Sequence, residues 1–281
     1  MKKALAIIIV LVINNAWAYT KVINGITWTY TISDGCVCVG TGSATGKAIP
    51  DTTKGAIEIP SSIDGFPVVE IAKDAFWHCY GLTSVTIPSG VISIGDSAFE
   101  HCEGLTSVSI PSSVTSIGSN AFWYCTKLTS VVIPEGVTTI GYSAFADCSG
   151  LRSMSLPTSL INVGSGAFSG CSGLADANGF VVLKGCLYAY TGLNTTVTIP
   201  AGVTSIGSRA FYNNSKLTAV TIPAGVTSIG GYAFYYCKAL MSVTIPDSLT
   251  SIGEYAFGQC RALKSVVIPE GVTSIGDSAF Y

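Results

Sequence analysis

Apolar positions recur along this chain in a fixed order of spacings. One copy reads Leu82, Val85, Ile87, Val91, Ile94, Ala98, Phe99 and Cys102, and the same types return at Leu105, Val108, Ile110, Val114, Ile117, Ala121, Phe122 and Cys125. Most neighbouring copies lie 23 residues apart. Ile-Pro or Leu-Pro marks fall at Pro60, Pro88, Pro111, Pro134, Pro157, Pro200, Pro223, Pro246 and Pro269, with Ala-Phe marks running from Phe76 to Phe280. A fixed period in this range predicts a solenoid, in which no unit buries its apolar lining alone and stacked units bury it together. Within a unit, Val85 and Ile87 share one face of a short strand, with Thr86 on the other. Pro88 cannot donate to a ladder and closes that strand. Val91 to Ile94 predicts a second short strand. Gly95 is expected to end it at positive φ, and Asp96 or Ser97 to cap a single helical or 3₁₀ turn carrying Ala98 and Phe99. The expected fold is a β-rich solenoid of about nine such coils, stacked at roughly 4.8 Å each if the strands pair in parallel.

The period breaks in three places. Pro60 to Phe76 is five residues longer than Pro88 to Phe99, an insertion around Asp64-Gly65-Phe66-Pro67. Between Leu174 and Val197 sit 20 extra residues, in which FVVL (180–183), Lys184-Gly185 and CLYAY (186–190) predict a β-hairpin at the insertion 175–194. The last copy reaches Tyr281 just after its Ala-Phe and before its Cys position. An open last coil exposes an apolar edge, so either the chain continues or that edge pairs with something. At the other end, ITWTYTI (26–32) alternates, Ser33-Asp34-Gly35 is a turn and CVCV (36–39) returns. Residues 19–54 are therefore expected to form a β-hairpin cap with a Gly/Ser/Thr-rich loop at 40–47, and residues 55–281 the solenoid.

The first residues carry a different message. Met1-Lys2-Lys3 is a short basic start, Ala4 to Ile13 an apolar run, and Ala16-Trp17-Ala18 an A-x-A site. That is the pattern of a secretory signal peptide over 1–18, cut after Ala18. The apolar run is too short to span a bilayer, which takes about 20 residues, so no membrane span is expected in the mature chain. Without Lys2 and Lys3 the chain has 12 basic against 16 acidic residues, and charged residues are 11% of the whole, well below the usual quarter or so. No basic face can form, which argues against nucleic acid as a partner.

The pattern "LTSVTIP..VTSIG..AF..C..L" resembles the BspA-like (Treponema-type) leucine-rich repeats of bacterial surface proteins, over about residues 55–281. The interruption NGFVVLKGCLYAY is similar to a variant seen within such arrays. The pattern departs from the ordinary leucine-rich repeat in placing Cys102 before the Leu105-Val108-Ile110 core. The resemblance implies a right-handed, leucine-rich-repeat-like coil stack in a secreted or surface-displayed protein used in adhesion.

Candidate chemistry is sparse. Seven of the ten cysteines, Cys79, Cys102, Cys125, Cys148, Cys171, Cys237 and Cys260, hold one repeat position, and Asn214 holds it in another copy. They read as a structural Cys/Asn ladder of buried free thiols facing backbone at a bend; Cys36, Cys38 and Cys186 are assigned no partner. His78 and His101, the only histidines, should stack on neighbouring coils, but their Cys neighbours point inward and cannot complete a metal site, so solvated turn residues are the better reading and no metal or cofactor is expected. No hydrolase elbow, P-loop, zinc motif or dinucleotide fingerprint is present, which argues against an enzyme. The outward column Thr86, Ser109, Val132, Ser155, Thr198, Thr221, Thr244 and Val267 is too interrupted for an ice-ordering threonine array, and cross-strand packing accounts for it.

Copies agree where the core dictates residues and differ most just around Ala-Phe. The candidate ligand-binding residues there are Trp77, His78, His101, Trp123, Tyr124, Tyr212, Tyr232, Tyr235, Tyr236 and Tyr255, in two aromatic groups, since exposed Trp and Tyr are favoured by recognition surfaces. The plain alternative is that these rings only shield the groove between adjacent coils. The function expected is non-catalytic binding outside the cytoplasm, as adhesion to an extracellular protein or glycan. The runner-up is a structural spacer or display scaffold that self-associates through the C-terminal coil, Ile268 to Tyr281.

Overall fold

The computed structural model describes residues 11–13, 16–42 and 46–281. Most of the expected signal peptide, and part of the loop at 40–47, lie outside them. The chain forms two compact units, the first ending at Ala167 and the second running from Phe168 to Tyr281. Both are β-solenoids built from the same 23-residue coil, with almost no helix.

The first unit opens with an antiparallel meander, β1 (Leu11–Ile13), β2 (Ala16–Ile23), β3 (Ile26–Ser33) and β4 (Cys36–Val39). The alternation in β3 sends Trp28 and Tyr30 into the core, where Trp28 meets the first repeat phenylalanine, Phe76, edge to face at 6.3 Å. Next come β5 (Gly55–Glu58), β6 (Ser62–Ile63) and β7 (Phe66–Ile71); β4 pairs in parallel with β7 and so joins meander to coil. The five-residue insertion is the tight β6–β7 hairpin, turned at Asp64 and Gly65, both at positive φ. Its Asp64 accepts a hydrogen bond from the Tyr30 hydroxyl and pairs with Lys21 Nζ at 2.5 Å, which ties the insertion to the meander. The Lys21 ammonium, then the Tyr30 hydroxyl, holds the Asp64 carboxyl below its usual range.

Each later coil contributes two short strands, as in β8 (Leu82–Thr86) and β9 (Ser93–Ile94). They stack in parallel at the repeat offset: Ser84 pairs with Ser107, Ser107 with Ser130 and Ser130 with Ser153, while Ile94 pairs with Ile117 and Ile117 with Ile140. Phe76, Phe99, Phe122 and Phe145 are fully buried and stack with their rings nearly parallel, centroids 4.8–5.1 Å apart. Strand spacing is about 4.8 Å, so identical side chains on successive coils are held at ring-stacking distance without adjustment.

Two local expectations are corrected. Gly95 is not at positive φ. It and its equivalents are glycine because the coils touch there: a Cβ on Gly118 would sit 2.5 Å from Asp96 N, and one on Gly141 2.4 Å from Ser119 N, in the coil before. Nor does Asp96 cap its own turn, since its Oδ1 accepts from Ser119 N of the next coil at 2.6 Å. The Ala-Phe segment is a run of turns whose N–H groups alternate in direction. Ala98 N and Cys102 N donate back to Gly95 O and Phe99 O, whereas Ser97 N, Phe99 N and His101 N donate to Ser119, Ala121 and Trp123 of the next coil. Aiming every second N–H outward puts one residue in four at positive φ: Asp74, His78, Ser97, His101, Asn120, Tyr124, Ser143 and Asp147 in this unit. Bulky residues rarely adopt that conformation, and inter-coil hydrogen bonds hold them in it.

The second unit contains the predicted hairpin, Phe180–Leu183 against Cys186–Tyr190. Its return strand pairs in parallel with Ser205–Ile206, which continues the ladder through Ser228–Ile229, Ser251–Ile252 and Ser274–Ile275. Thr196–Thr198, Ala219–Thr221 and Ser242–Thr244 form the companion sheet. Phe211, Phe234, Phe257 and Phe280 stack at 4.8–5.3 Å. Threonines add side-chain ladders beside the backbone ones: Thr106 Oγ1 donates to Thr83 O and Thr129 Oγ1 to Thr106 O, with Thr227, Thr250 and Thr273 doing the same in this unit. The threonine-rich exterior is thus partly internal bonding between coils, a role that reading the sequence missed.

Candidate functional site

The Cys positions form a column under the turns. Cys102 Sγ donates to Phe76 O at 3.1 Å, Cys125 to Phe99 O at 3.2 Å, Cys148 to Phe122 O, and in the second unit Cys237 to Phe211 O and Cys260 to Phe234 O. All ten cysteines are free thiols. Burial pushes the Cys79 thiol up to about 12 and those of Cys102 and Cys125 well above their ordinary value, which withholds the thiolate that metal binding or oxidation needs. Asn214 does not repeat this bond; its Oδ1 accepts from Lys216 N in its own coil at 3.3 Å. Outside the column, burial and then Glu70 push the Cys38 thiol up to about 12.

The candidate ligand-binding residues form two surface clusters, one in each unit. In the first, Trp77 lies 3.9 Å from His78, His78 4.7 Å from His101, and His101 5.3 Å from Trp123 and 4.9 Å from Tyr124, all between ring centroids. The two histidines are half-buried among these rings rather than solvated. His78 Nδ1 and the Tyr80 hydroxyl are 2.7 Å apart, and His101 Nδ1 lies 3.5 Å from Glu103 Oε1. Burial, then the neighbouring His101 and Lys47, lowers the His78 pKa. Both indoles bridge coils: Trp77 Nε1 donates to Glu100 Oε1 at 3.2 Å and Trp123 Nε1 to Asp147 Oδ2 at 2.9 Å. Tyr124 is 40% exposed and Tyr80, which the sequence reading did not select, 51%. Among the described residues there is no group of three or more metal-ligating side chains.

In the second cluster, Tyr212 stacks on Tyr235 at 5.8 Å and Tyr232 on Tyr255 at 5.1 Å, while Tyr235 meets Tyr232, Tyr236 and Tyr255 edge to face. Cations lie over these rings: Arg209 at 5.0 Å from Tyr212 and 5.7 Å from Tyr232, Lys238 at 5.1 Å from Tyr236. Desolvation, ahead of the neighbouring charges and rings, raises the pKa of Tyr232 and Tyr235. Tyr232, Tyr236 and Tyr255 all occupy the positive-φ turn positions, which turns these side chains outward from a backbone the core fixes. What the arrangement offers is therefore recognition: rigid rings, hydroxyl tips and fixed charges on a stiff support.

A repeat β-solenoid with a variable turn surface is thus the class of protein that both units define. The family model for the BspA type leucine rich repeat region matches residues 69–179 and 183–281, in six copies, and the chain belongs to that family of bacterial surface proteins. Among solved structures, the chain is similar to the leucine rich repeat protein of T. pallidum, with 25% identity over 85% of this chain and 88% of that one, at a TM-score of 0.51. It shares its fold with the pneumococcal vaccine antigen PcpA, with 23% identity over 92% of this chain and 77% of that one, at a TM-score of 0.50. No curated protein sequence matches the chain. No helix among the described residues is long and apolar enough to cross a membrane.

Proposed function

We propose that this chain is an exported, non-catalytic binding protein that adheres to an extracellular protein or glycan through its turn surface. The observation that carries this reading is the assembly of sequence-variable turn residues into two surface clusters, Trp77–Tyr124 and Tyr212–Tyr255, on coils whose interior positions hardly vary. A ring needed only to fill the coil has no reason to differ from copy to copy. Export rests on the Ala16-Trp17-Ala18 site. Cleavage after Ala18 removes β1 and the start of β2 but keeps five of the six register pairs between β2 and β3, from Tyr19–Tyr30 to Ile23–Ile26, so β2 to β4 stay paired after processing. N-terminal sequencing of exported protein should read Tyr19 first.

The test is a binding screen of residues 19–281 against matrix proteins and glycans, run beside light scattering. Saturable binding by a monomer is expected, and replacing Trp77, Trp123, Tyr235 and Tyr236 by Ser should abolish it while the β-sheet circular dichroism persists. Absent binding with concentration-dependent growth in size would replace adhesion by the scaffold reading.

A further inference from the structure

Two departures from the repeat fall on one cavity. The 20-residue interruption ends in Tyr190, Thr191 and Leu193, and the coil that follows is the one in which Asn214 stands where its fellows carry Cys. Together these segments enclose an open cleft of about 300 Å³, walled by Tyr190 and Tyr212 and lined by Thr191, Asn213, Ser215 and Lys216. Tyr212 is 42% exposed, and Leu193 on the rim 83%. The only charge in the lining is Lys216, and among the described residues no carboxylate lies within ion-pair reach of it. Asn214 turns its carboxamide oxygen to Lys216 N, and the Tyr190 hydroxyl accepts from Asn194 N, so both segments are braced.

We infer that this cleft is a subsite for an acidic saccharide, a pyranose bearing a carboxylate. An aromatic wall suits the apolar C–H face of a sugar ring. Side-chain amide and hydroxyl groups beside it suit the ring hydroxyls, and an unpaired ammonium suits the carboxylate. The volume is at the small end for ligand sites, which span roughly 300–1,000 Å³, and takes a single ring rather than a folded segment of protein. The inference rests on the binding reading above and adds to its second cluster a subsite that shares Tyr212 with it.

Saturation-transfer NMR and titration calorimetry of residues 19–281 with galacturonic acid, and with galactose as its neutral counterpart, test it. Galacturonic acid should bind saturably and galactose at least about tenfold more weakly, the worth of one charge-assisted hydrogen bond. Lys216→Gln should erase that preference with an unchanged unfolding midpoint, because Lys216 is exposed, and Tyr212→Ser should weaken both sugars while the β-sheet circular dichroism persists. Equal binding of the two sugars overturns the acidic assignment. Binding indifferent to both substitutions overturns the cleft. Failure to bind either sugar while a matrix protein still binds overturns the saccharide inference and spares the adhesion reading; failure with every ligand of the screen sinks both.

Discussion

The two units carry the same turns and furnish them differently. In the first, indole N–H groups reach one coil onward to a carboxylate, Trp77 to Glu100 and Trp123 to Asp147, with histidines packed between. In the second, tyrosines stack on one another and take cations over their faces, Arg209 and Lys238. An indole has a donor and no acceptor, so a half-buried one needs a partner on the protein, and the next coil supplies it. A phenol tip can remain in water. Trp77 and Trp123 therefore double as clasps between coils, whereas the tyrosines of the second unit meet one another, ring to ring and, for Tyr235 and Tyr236, by a side-chain hydrogen bond. Shared backbone geometry does not impose shared chemistry.

The comparison can be broken at its base by emptying the common core. Phe122→Ala and Phe234→Ala should each cost about 3–5 kcal/mol in urea unfolding, because both rings are buried in the same stack; a clear inequality would mean that the units do not share one packing logic. Gly118→Ala and Gly253→Ala place a methyl 2.5 and 2.4 Å from the previous coil's backbone nitrogen. Each should cost about 1–3 kcal/mol or more, as overpacking does. Trp123→Phe removes the bond to Asp147 and should cost about 1 kcal/mol, while Tyr212→Phe, at an exposed ring, should stay within about 0.5 kcal/mol. If Tyr212→Phe were the costlier, the roles assigned to the two clusters would be reversed.

Finer effects sharpen the contrast. Ser143→Gly, at φ +50°, should stabilise the first unit by about 0.5–1 kcal/mol, the left-handed penalty less the entropy glycine adds to the unfolded chain. The smallest effect expected is a pH dependence confined to the first unit, which holds both histidines. The folded pKa of His78 lies below its ordinary value, so the unfolded chain protonates first. The associated stability is present above about pH 6.5 and is lost as pH falls from there through the folded value. Hydrogen exchange at pH 7.5 and 5.5 should show the loss in the coils around His78, and His78→Gln should remove it.

The 23-residue period, the inward residues, the strands at 26–33 and 36–39 and the inserted hairpin were legible because each depends on local alternation and on counting, whereas β1 and β2 were not read as strands. The reason for Gly95 was not. A single copy of the motif cannot show that the forbidding neighbour is the next copy's backbone, and a glycine after a strand suggests a turn first. The positive φ of His101 or Tyr255 was hidden for the same reason, since hydrogen bonds between coils, not residue preference, impose it. Of the candidate site, the variable columns were visible, but the pairing of Trp123 with Asp147 and of Tyr212 with Arg209 was not. Those partners lie in other coils or on the opposite flank of a turn, and no spacing rule links them. The convergence of the insertion and Asn214 on one cleft needed the coils in place.

The alternating N–H groups of the turns have an electrical consequence. Around one coil, Phe99 and His101 donate forward to the next, while Gly95 and Thr106 donate backward to the one before, to Ile71 and Thr83. Peptide dipoles therefore oppose one another along the direction of stacking, where those of an α-helix add to roughly half an elementary charge at each end. A stack of these coils accumulates no comparable polarity as it grows. Copies can be gained or lost without an electrostatic imbalance of that kind to correct, and charges on the turns such as Arg209 and Glu100 are set turn by turn.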